Sequence, residues 1–181
     1  MKNNCNQANK YAKQKIQQIY LKMINETPNQ RVKIIDLCKR AGINRSTFYS
    51  YYYDADEVLE ELQVAHMNAL QKILADDAIK HQNLKQALTK ILTLIKQEQN
   101  FYYYYFVTKN QATTLNVLDN SVIAEELKQQ NNGCGSEEFI YDLNFFNGGM
   151  AAIIKLWLKN DCQTPVASLV TILLNKINKN A

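Results

Sequence analysis

Residues 44–51 hold a cluster of side chains that can hydrogen-bond to a nucleic acid. Its polar members are Asn44, Arg45, Ser46, Thr47, Tyr49 and Tyr51. An arginine can contact the edge of a guanine or bind phosphate oxygens, and hydroxyl groups bind phosphates. On a short helix these residues would form a polar outer face, while Ile43 and Phe48 would hold the helix against its neighbours. The stretch is therefore the first candidate for a binding site.

Two short helices joined by a turn would position this cluster. The first carries four apolar residues on one face: Ile34, Leu37, Cys38 and Ala41. Gly42 comes next, and glycine favours the left-handed conformation in which many helices end. Asn44 can then cap a second helix over about residues 44–50. The pattern is that of a helix-turn-helix, whose second helix lies in the major groove of DNA, although generic matches to it are frequent.

The flanking segments are also helical by pattern. After a polar arm over residues 1–10, one helix carries five spaced apolar residues: Ile16, Ile19, Tyr20, Met23 and Ile24. Pro28 ends that helix because proline cannot continue it. Asp54 and Glu57 predict a capping box at the start of a fourth helix. The predicted buried stripe of the fourth helix consists of Val58, Leu62, Ala65, Ala69 and Ile73.

The net charge of +4 conceals an asymmetry along the chain. Residues 1–53 contain ten Lys and Arg but two acidic residues, a net charge of +8, and residues 54–181 have a net charge of −4. A local basic field of this kind suits a polyanion, nucleic acid first. The alternative is a solvated basic surface without a partner.

Composition predicts an all-α protein. Gly (5) and Pro (2) are scarce in the 181 residues, whereas Leu, Lys, Gln, Ala and Glu are plentiful, which favours helices over turn-rich β-structure. No apolar run approaches the roughly 20 residues needed to span a bilayer, and the polar N-terminus is unlike a signal peptide. We therefore expect a cytoplasmic protein with no membrane partner. Its cysteines are expected to be reduced, with Cys38 buried: Cys5, Cys38, Cys134 and Cys162.

The sequence lacks the usual signatures of catalysis. It has no GxSxG, GxGxxG, P-loop or HExxH motif. Its two histidines, His66 and His81, have no matching Ser, Cys or carboxylate constellation, and the cysteines form no CxxC pair. We therefore predict no enzyme activity, no metal site and no cofactor.

Helical patterns continue from about residue 80 onward. One helix carries the apolar residues Leu84, Leu88, Ile91, Leu92 and Ile95. The run FYYYYFV at 101–107 is apolar on all sides and predicts a short buried helix, with an isolated strand as the alternative because aromatic residues favour strands. Residues 111–131 have an amphipathic helical pattern, and residues 131–136 predict a loop.

The helix expected over about residues 137–160 has two apolar faces. One stripe consists of Phe139, Leu143, Phe146, Met150, Ile153 and Trp157, and the other of Phe145, Gly149, Ala152 and Leu156. A helix that is apolar on two faces must be buried on both. Either both faces lie in a monomeric core, or one of them packs against a second copy of the chain.

A last helix is expected to have Thr164 as its cap and Pro165 at its first position. Its apolar stripe is Val166, Leu169, Val170, Leu173, Leu174 and Ile177. Together with the preceding helix it resembles half of a four-helix bundle formed between two copies. The predicted dimer interface consists of Phe145, Gly149, Ala152, Leu156, Leu169 and Leu173.

The segment from Val32 to Leu59, VKIIDLCKRAGINRSTFYSYYYDADEVL, closely resembles the DNA-binding signature of the tetracycline-repressor-like (TetR) family. The matching pieces are Ala41-Gly42-Ile43, Ser46-Thr47-Phe48-Tyr49, Tyr52, and Asp54 leading into Val58-Leu59. The resemblance covers roughly residues 12–60, and residues 148–165 are loosely similar to a dimer helix of the family. It implies a helix-turn-helix domain over residues 1–55 and a helical regulatory and dimerisation domain over residues 56–181.

The resemblance also implies individual roles on DNA. Arg45, Ser46 and Thr47 match positions that meet base edges and nearby phosphates, while Tyr49 and Tyr51 match positions that meet the phosphate backbone. Arg45 contacts either a guanine or a phosphate, and core packing is favoured for Tyr52. The predicted DNA-binding residues are Lys33, Ile35, Asn44, Arg45, Ser46, Thr47, Tyr49 and Tyr51.

Three departures from the family pattern bear on affinity and on the preferred DNA sequence. Lys33 stands where the family often has a threonine that caps the second helix and touches phosphate. Ile35 stands where Lys or Arg is common, and an exposed isoleucine can meet a thymine methyl group. Ala55 replaces a lysine at the start of the fourth helix, which removes a phosphate contact.

For the second domain the resemblance implies a small-molecule inducer bound between helices. The predicted pocket residues are Tyr102, Tyr105, Phe106, Phe139, Phe146 and Trp157. Tyrosine and tryptophan can line an apolar pocket and offer a hydrogen bond, but the same residues can simply fill the core.

The expected function is a homodimeric repressor that binds double-stranded DNA at a palindromic operator and is released by a small hydrophobic inducer. The alternative is a ligand-independent regulator or co-activator of the same fold that acts through a protein partner.

Overall fold

Helices account for the regular structure of the computed structural model, which describes residues 2–28, 30–74, 84–109 and 137–179, and no strand occurs among these residues. The chain divides into two compact units, Met1–Met67 and Asn68–Ala181. The domain boundary expected between residues 55 and 56 lies at the start of a helix inside the first unit and stays a prediction. Within the described residues, no helix is long and apolar enough to cross a membrane.

In the first unit a long helix packs against a pair of short ones. The helices are α1 (Lys2–Glu26), α2 (Ile34–Ala41), α3 (Arg45–Tyr49) and α4 (Ala55–Leu74), which continues past the end of the unit. The expected polar arm over residues 1–10 is wrong, since α1 is already helical from Lys2. The segment contains neither Gly nor Pro, the two residues that most strongly interrupt a helix.

The turn between α2 and α3 has the predicted left-handed residue. Gly42 has φ +62°, and the N–H of Ile43 donates to the carbonyl of Cys38 at 3.1 Å. This hydrogen bond uses a carbonyl that the end of α2 would otherwise leave without a helical partner. Leu37, Cys38 and Ala41 are buried on the predicted face of α2, while Ile34 is half-buried.

The start of α4 is capped largely as predicted. The Asp54 carboxylate accepts hydrogen bonds from the N–H groups of Asp56 and Glu57, at 2.9 and 3.0 Å. The Glu57 carboxylate reaches back one residue further than in a standard capping box, because its donor is the N–H of Tyr53. This double contact sets where the helix begins after the loop at the end of α3.

The predicted buried stripe of α4 is correct at Val58 and Leu62 and wrong at Ala65 and Ala69. Its buried residues are Ala55, Val58, Leu62, His66 and Leu70. From residue 58 onward the buried face advances by four residues at each step, so His66 and Leu70 are buried in place of Ala65 and Ala69. The prediction placed small apolar residues on the buried face because they are apolar. The helical spacing instead places His66 on that face.

The described residues of the second unit, 84–109 and 137–179 beyond the end of α4, form four further helical segments. They are α5 (Leu84–Gln97), α6 (Gln99–Tyr103), which continues as a π-helical turn (Tyr104–Thr108), α7 (Glu137–Lys159) and α8 (Val166–Lys179). Helix α8 packs on α5, and α7 packs on α6 and on the π-helical turn. The amphipathic helix expected over 111–131 and the loop expected over 131–136 lie outside the described residues.

The aromatic run forms a buried helical segment, so the strand alternative is wrong. Its buried residues are Phe101, Tyr102, Tyr104, Tyr105 and Phe106. The N–H of Lys109 donates to the carbonyl of Tyr104, five residues earlier, at 2.8 Å. This widened turn allows five of six consecutive large side chains to be buried, which a regular helix with an exposed side would not.

The corner between α7 and α8 differs by one residue from the expectation. The Pro165 carbonyl accepts from the N–H of Leu169 at 3.0 Å, so α8 begins at Val166 and Pro165 is not its first helical residue. The Thr164 carbonyl instead accepts a hydrogen bond from the Trp157 indole at 2.8 Å. Asp161 and Cys162 both have φ +50° and turn the chain between the two helices.

Candidate nucleic-acid interface

Helix α3 is fixed by one buried side chain and exposes the rest. Phe48 has no exposed surface, and its ring lies 5.6 Å from that of Tyr49 and 5.8 Å from that of Tyr52. Arg45 and Ser46 are exposed, Thr47 is half-buried and the side chain of Tyr49 is 48% exposed. The five-residue helix therefore presents basic and hydroxyl groups outward, as the sequence predicted.

Asn44 occupies the position before α3 but does not cap it as expected. Its backbone is extended, which suits an N-cap residue, yet its side chain makes no capping hydrogen bond. At the other end of α3 the hydroxyl of Ser50 donates to the Thr47 carbonyl at 2.7 Å. Tyr51, the next residue, is half-buried, and its N–H donates to the Phe48 carbonyl.

Arg45 and Tyr49 are in contact on the outer face of α3. The guanidinium donates a hydrogen bond to the Tyr49 hydroxyl at 3.3 Å, and its central carbon lies 5.8 Å from the centre of the tyrosine ring. The spacing of four residues places both side chains on the same side of the helix. The hydrogen bond to Tyr49 raises the pKa of Arg45, so the guanidinium stays charged. The sequence analysis predicted that both residues bind DNA, but it did not predict the contact between them.

The start of α2 supplies the other predicted residues. Lys33 precedes the helix in an extended conformation and is exposed, and Ile35 in the first turn is 61% exposed. Ile35 lies off the buried stripe of Leu37 and Cys38, so its side chain is accessible to a ligand. A groove of about 540 Å³ runs beside these residues, between the end of α1 and α2. Its lining includes the basic residues Arg31, Lys33, Lys39 and Arg40.

Two of these basic residues are paired with carboxylates. Arg31 pairs with Asp56 at 3.1 Å, and Arg40 pairs with Glu26. Both pairs are largely exposed, so each adds little to stability. The hydrogen bond from Arg40 lowers the pKa of Glu26. Arg31, Lys39 and Arg40 are absent from the predicted interface residues, and the charge asymmetry is the signal that could have indicated them.

A partly buried polar network holds the segment after α3. The Tyr52 hydroxyl donates to the Glu61 carboxylate at 2.7 Å and accepts from the Gln17 side chain at 3.1 Å, while Lys13 pairs with Glu61 at 2.6 Å. Tyr52 is 3% exposed, which confirms its predicted core role. Burial raises the pKa of Glu61, but hydrogen bonds from Lys13 and Tyr52 outweigh that effect and leave the pKa lowered. The ionised carboxylate thus joins α1, α4 and the end of the recognition segment.

In the second unit, the predicted pocket residues whose side chains the structure describes are all buried: Tyr102, Tyr105, Phe106, Phe146 and Trp157. The ring centres of Phe101 and Tyr105 are 4.9 Å apart, and those of Tyr102 and Phe106 are 6.5 Å apart. The Trp157 indole is already bonded to Thr164. The side chain of Phe139 lies outside the described residues.

An apolar cavity of about 260 Å³ lies between α7 and α8. It is lined by Phe145, Phe146, Gly149, Met150, Ile153, Leu173 and Lys176. Of the predicted pocket residues that the structure describes, the cavity includes Phe146. In the described part of the chain no group of His, Cys, Asp and Glu could hold a metal ion.

The predicted dimer residues fall into two classes. Phe145, Gly149, Ala152 and Leu156 form an exposed stripe along α7, with Phe145 70% and Leu156 60% exposed. Leu169 and Leu173 are 4% and 2% exposed, buried within the single chain on the helix that packs on α5. A second copy could therefore reach little of either leucine, so their assignment to the interface is corrected to the core. Ile172, 45% exposed on α8, is a more accessible neighbour.

Comparisons with known proteins agree with this architecture. A TetR family model described as "Transcriptional regulator C-terminal region" matches residues 82–179, just over half of the chain. A search of curated proteins returned no match. A solved structure titled "Dihydroxyacetone kinase operon activator DhaS" superposes with a TM-score of 0.60 at 16% identity, over 93% of this chain and 95% of that one. With the family model spanning the second unit and the helix-turn-helix in the first, the chain belongs to the TetR family of transcription regulators.

Proposed function

We propose that this regulator is a cytoplasmic homodimeric repressor that binds a palindromic DNA operator and leaves it when a small apolar inducer binds. The observation that carries the proposal is the outer face of α3, where Arg45, Ser46 and Tyr49 are exposed within residues 1–53, a segment with a net charge of +8. We assign DNA binding to residues 1–55 and regulation to residues 56–181.

The proposed DNA contacts are of two kinds: contacts to the phosphate backbone, which hold the protein on DNA, and contacts to base edges, which recognise the sequence. Lys33, Asn44, Tyr49 and Tyr51 are assigned to the phosphate backbone, whose contacts fix orientation without sequence information. Arg45, Ser46 and Thr47 are assigned to base edges in the major groove. Ile35, exposed at the start of α2, is assigned to a thymine methyl group.

The proposed dimer uses the exposed stripe of α7. Large apolar side chains that are 60–70% exposed in a row along one helix are costly to leave in water, and a second copy of the same stripe would cover them. Gly149 in the middle of the stripe has no atom within 4 Å of an added Cβ, so the surface there is open to close helix approach. A symmetric dimer would present two α3 helices, which is why a palindromic operator is expected.

The proposed inducer is small and apolar because the second unit offers aromatic residues and an apolar cavity. Phe146 belongs to both the predicted set and the lining of the cavity between α7 and α8.

A second candidate is an activator or co-activator that acts through a protein partner. The superposed structure is titled an operon activator, which is the reason for this second candidate. At 16% identity the likeness itself supports the fold. In this case the exposed stripe on α7 or α8 would contact the partner.

The test is selection of DNA from random duplexes by the purified protein. An enriched inverted repeat, with half-sites about one helical turn apart or somewhat more, supports the dimeric DNA-binding function. Absence of any enriched sequence rejects it. Transcription in vitro from a promoter that carries the selected site distinguishes repression from activation. A thermal-shift screen tests the inducer, because a ligand that binds the folded state raises the melting temperature.

A further inference from the structure

The three arginines of the chain are held in two different ways. Arg31 and Arg40 pair with carboxylates, and Arg45 donates to a neutral hydroxyl, that of Tyr49. A carboxylate partner offsets the charge of an arginine, whereas a tyrosine hydroxyl restricts its geometry and leaves the positive charge in place. Arg45 is therefore oriented and still fully charged on the exposed face of α3.

Tyr49 is itself oriented by the core. Its ring meets the fully buried ring of Phe48 edge to face at 5.6 Å, and its side chain is about half exposed. The ring is thus fixed at its base while the hydroxyl reaches the surface. A flexible arginine loses rotamer freedom when it is fixed, so a contact made before DNA binds reduces the cost of fixing it later.

We propose that Tyr49 is a positioning residue for Arg45 and not only a phosphate contact. The Tyr49 oxygen accepts the hydrogen bond from the Arg45 guanidinium, and its hydroxyl hydrogen donates to a phosphate of the operator. One tyrosine thereby links the DNA backbone to the arginine that contacts a base, and the pair reads that base as a unit. This inference rests on the proposed function, since it requires that α3 enters the major groove.

The coupling has a measurable consequence. A residue that only holds phosphate weakens binding to every sequence equally. A residue that orients Arg45 also changes the preference at the base pair which Arg45 contacts. Tyr49→Phe removes the exposed hydrogen bond to Arg45 and keeps the ring, so it should reduce that preference by about 2- to 5-fold.

The experiment compares DNA selection and affinity for the wild type, Tyr49→Phe, Arg45→Ala, the double variant and Tyr53→Phe. Phenylalanine keeps the ring contact with Phe48, so Tyr49→Phe should fold normally. Tyr53, 87% exposed, provides a matched loss of one tyrosine hydroxyl nearby. We expect Tyr49→Phe to weaken binding overall and to reduce preference at one base pair in each half-site, the pair at which Arg45→Ala abolishes preference. In the Arg45→Ala background, Tyr49→Phe should change preference no further, and Tyr53→Phe should leave it unchanged.

Each contrary outcome is decisive. Uniform weakening by Tyr49→Phe with unchanged preference overturns the proposal and leaves the proposed function intact. An unchanged preference profile in Arg45→Ala also overturns it, because Arg45 would then contact phosphate. If the wild type selects no sequence, the proposed function and this inference both fall. A measurement without DNA gives an independent arm: ¹⁵N relaxation of the Arg45 side chain should show greater mobility in Tyr49→Phe than in Tyr53→Phe, and equal mobility would contradict the contact.

Discussion

The Tyr52 hydroxyl donates to the Glu61 carboxylate across 2.7 Å, with the tyrosine 3% exposed and the two residues on successive structural elements. Because Tyr52 comes shortly after α3 and Glu61 lies on α4, this hydrogen bond fixes the end of the recognition segment to the next helix. A hydrogen bond to a charged acceptor contributes about 1.5–3 kcal/mol, so it is an important local support.

Tyr52→Phe should lower the free energy of unfolding of the first unit by about 1.5–3 kcal/mol, because it removes the donor to a half-buried carboxylate. Urea denaturation followed by circular dichroism measures the change. The matched control is Tyr53→Phe, which removes an exposed hydroxyl and should change stability by less than about 0.5 kcal/mol. Equal stability of the two variants would show that the Tyr52–Glu61 bond is not stabilising.

His66 should make the first unit less stable in mild acid. Burial lowers the pKa of His66 to about 4, whereas in the unfolded chain the usual value is about 6.5. Below pH 6.5 the unfolded chain takes up a proton that the folded chain refuses, so stability is present above that pH and is lost as pH falls toward 4. Between pH 7.5 and 5 the loss should be about 2 kcal/mol.

Urea unfolding at the two pH values tests this expectation. His66→Leu should remove most of the loss, and His81→Gln, which leaves His66 as the single histidine, should retain it. An unchanged pH dependence in His66→Leu would assign the acid sensitivity to other groups. Glu61 in the same unit has a lowered pKa and stays ionised above pH 5.

Gly149→Arg should convert a dimer into a monomer without unfolding it. An added side chain at Gly149 meets no atom of its own chain within 4 Å, but it would place a charge in the apolar stripe of α7. Light scattering should show a dimeric wild type and a monomeric variant at micromolar concentration, with equal helical content. Thr89→Arg, an equal charge at an exposed site on α5, should remain dimeric. A monomeric wild type would refute the dimer.

DNA binding should depend steeply on salt because residues 1–53, which contain α2 and α3, carry a net charge of +8. Two units making about 6–10 phosphate contacts would lose about 10³–10⁵ in affinity between 50 and 200 mM salt. Lys33→Ala should reduce the slope of log affinity against log salt by about 2 per dimer, one for each copy. Lys85→Ala, exposed on α5, should leave the slope unchanged. A flat titration for the wild type would count against DNA as the ligand.

Local features were predictable and long-range ones were not. Gly42 and the Asp54 cap result from interactions within a few residues, and the structure confirms both. The contact between Gln17 and Glu61 spans 44 residues, so no local pattern contains it. At Leu169 and Leu173 the apolar spacing was correct, but the same pattern fits a core and an interface equally well. Only the packing of α8 on α5 distinguishes the two.

The π-helical turn at Tyr104–Thr108 makes this segment sensitive to a change in length. A turn that holds one residue more than an α-helical turn has the geometry of a single-residue insertion accommodated inside a helix. Deleting one residue there would return the segment to regular helical register and rotate the aromatic residues before the turn by about 100° relative to the residues after it. The extra residue therefore sets which aromatic rings face the interior, and a change in chain length at this point would act on the interior as strongly as a change of side chain.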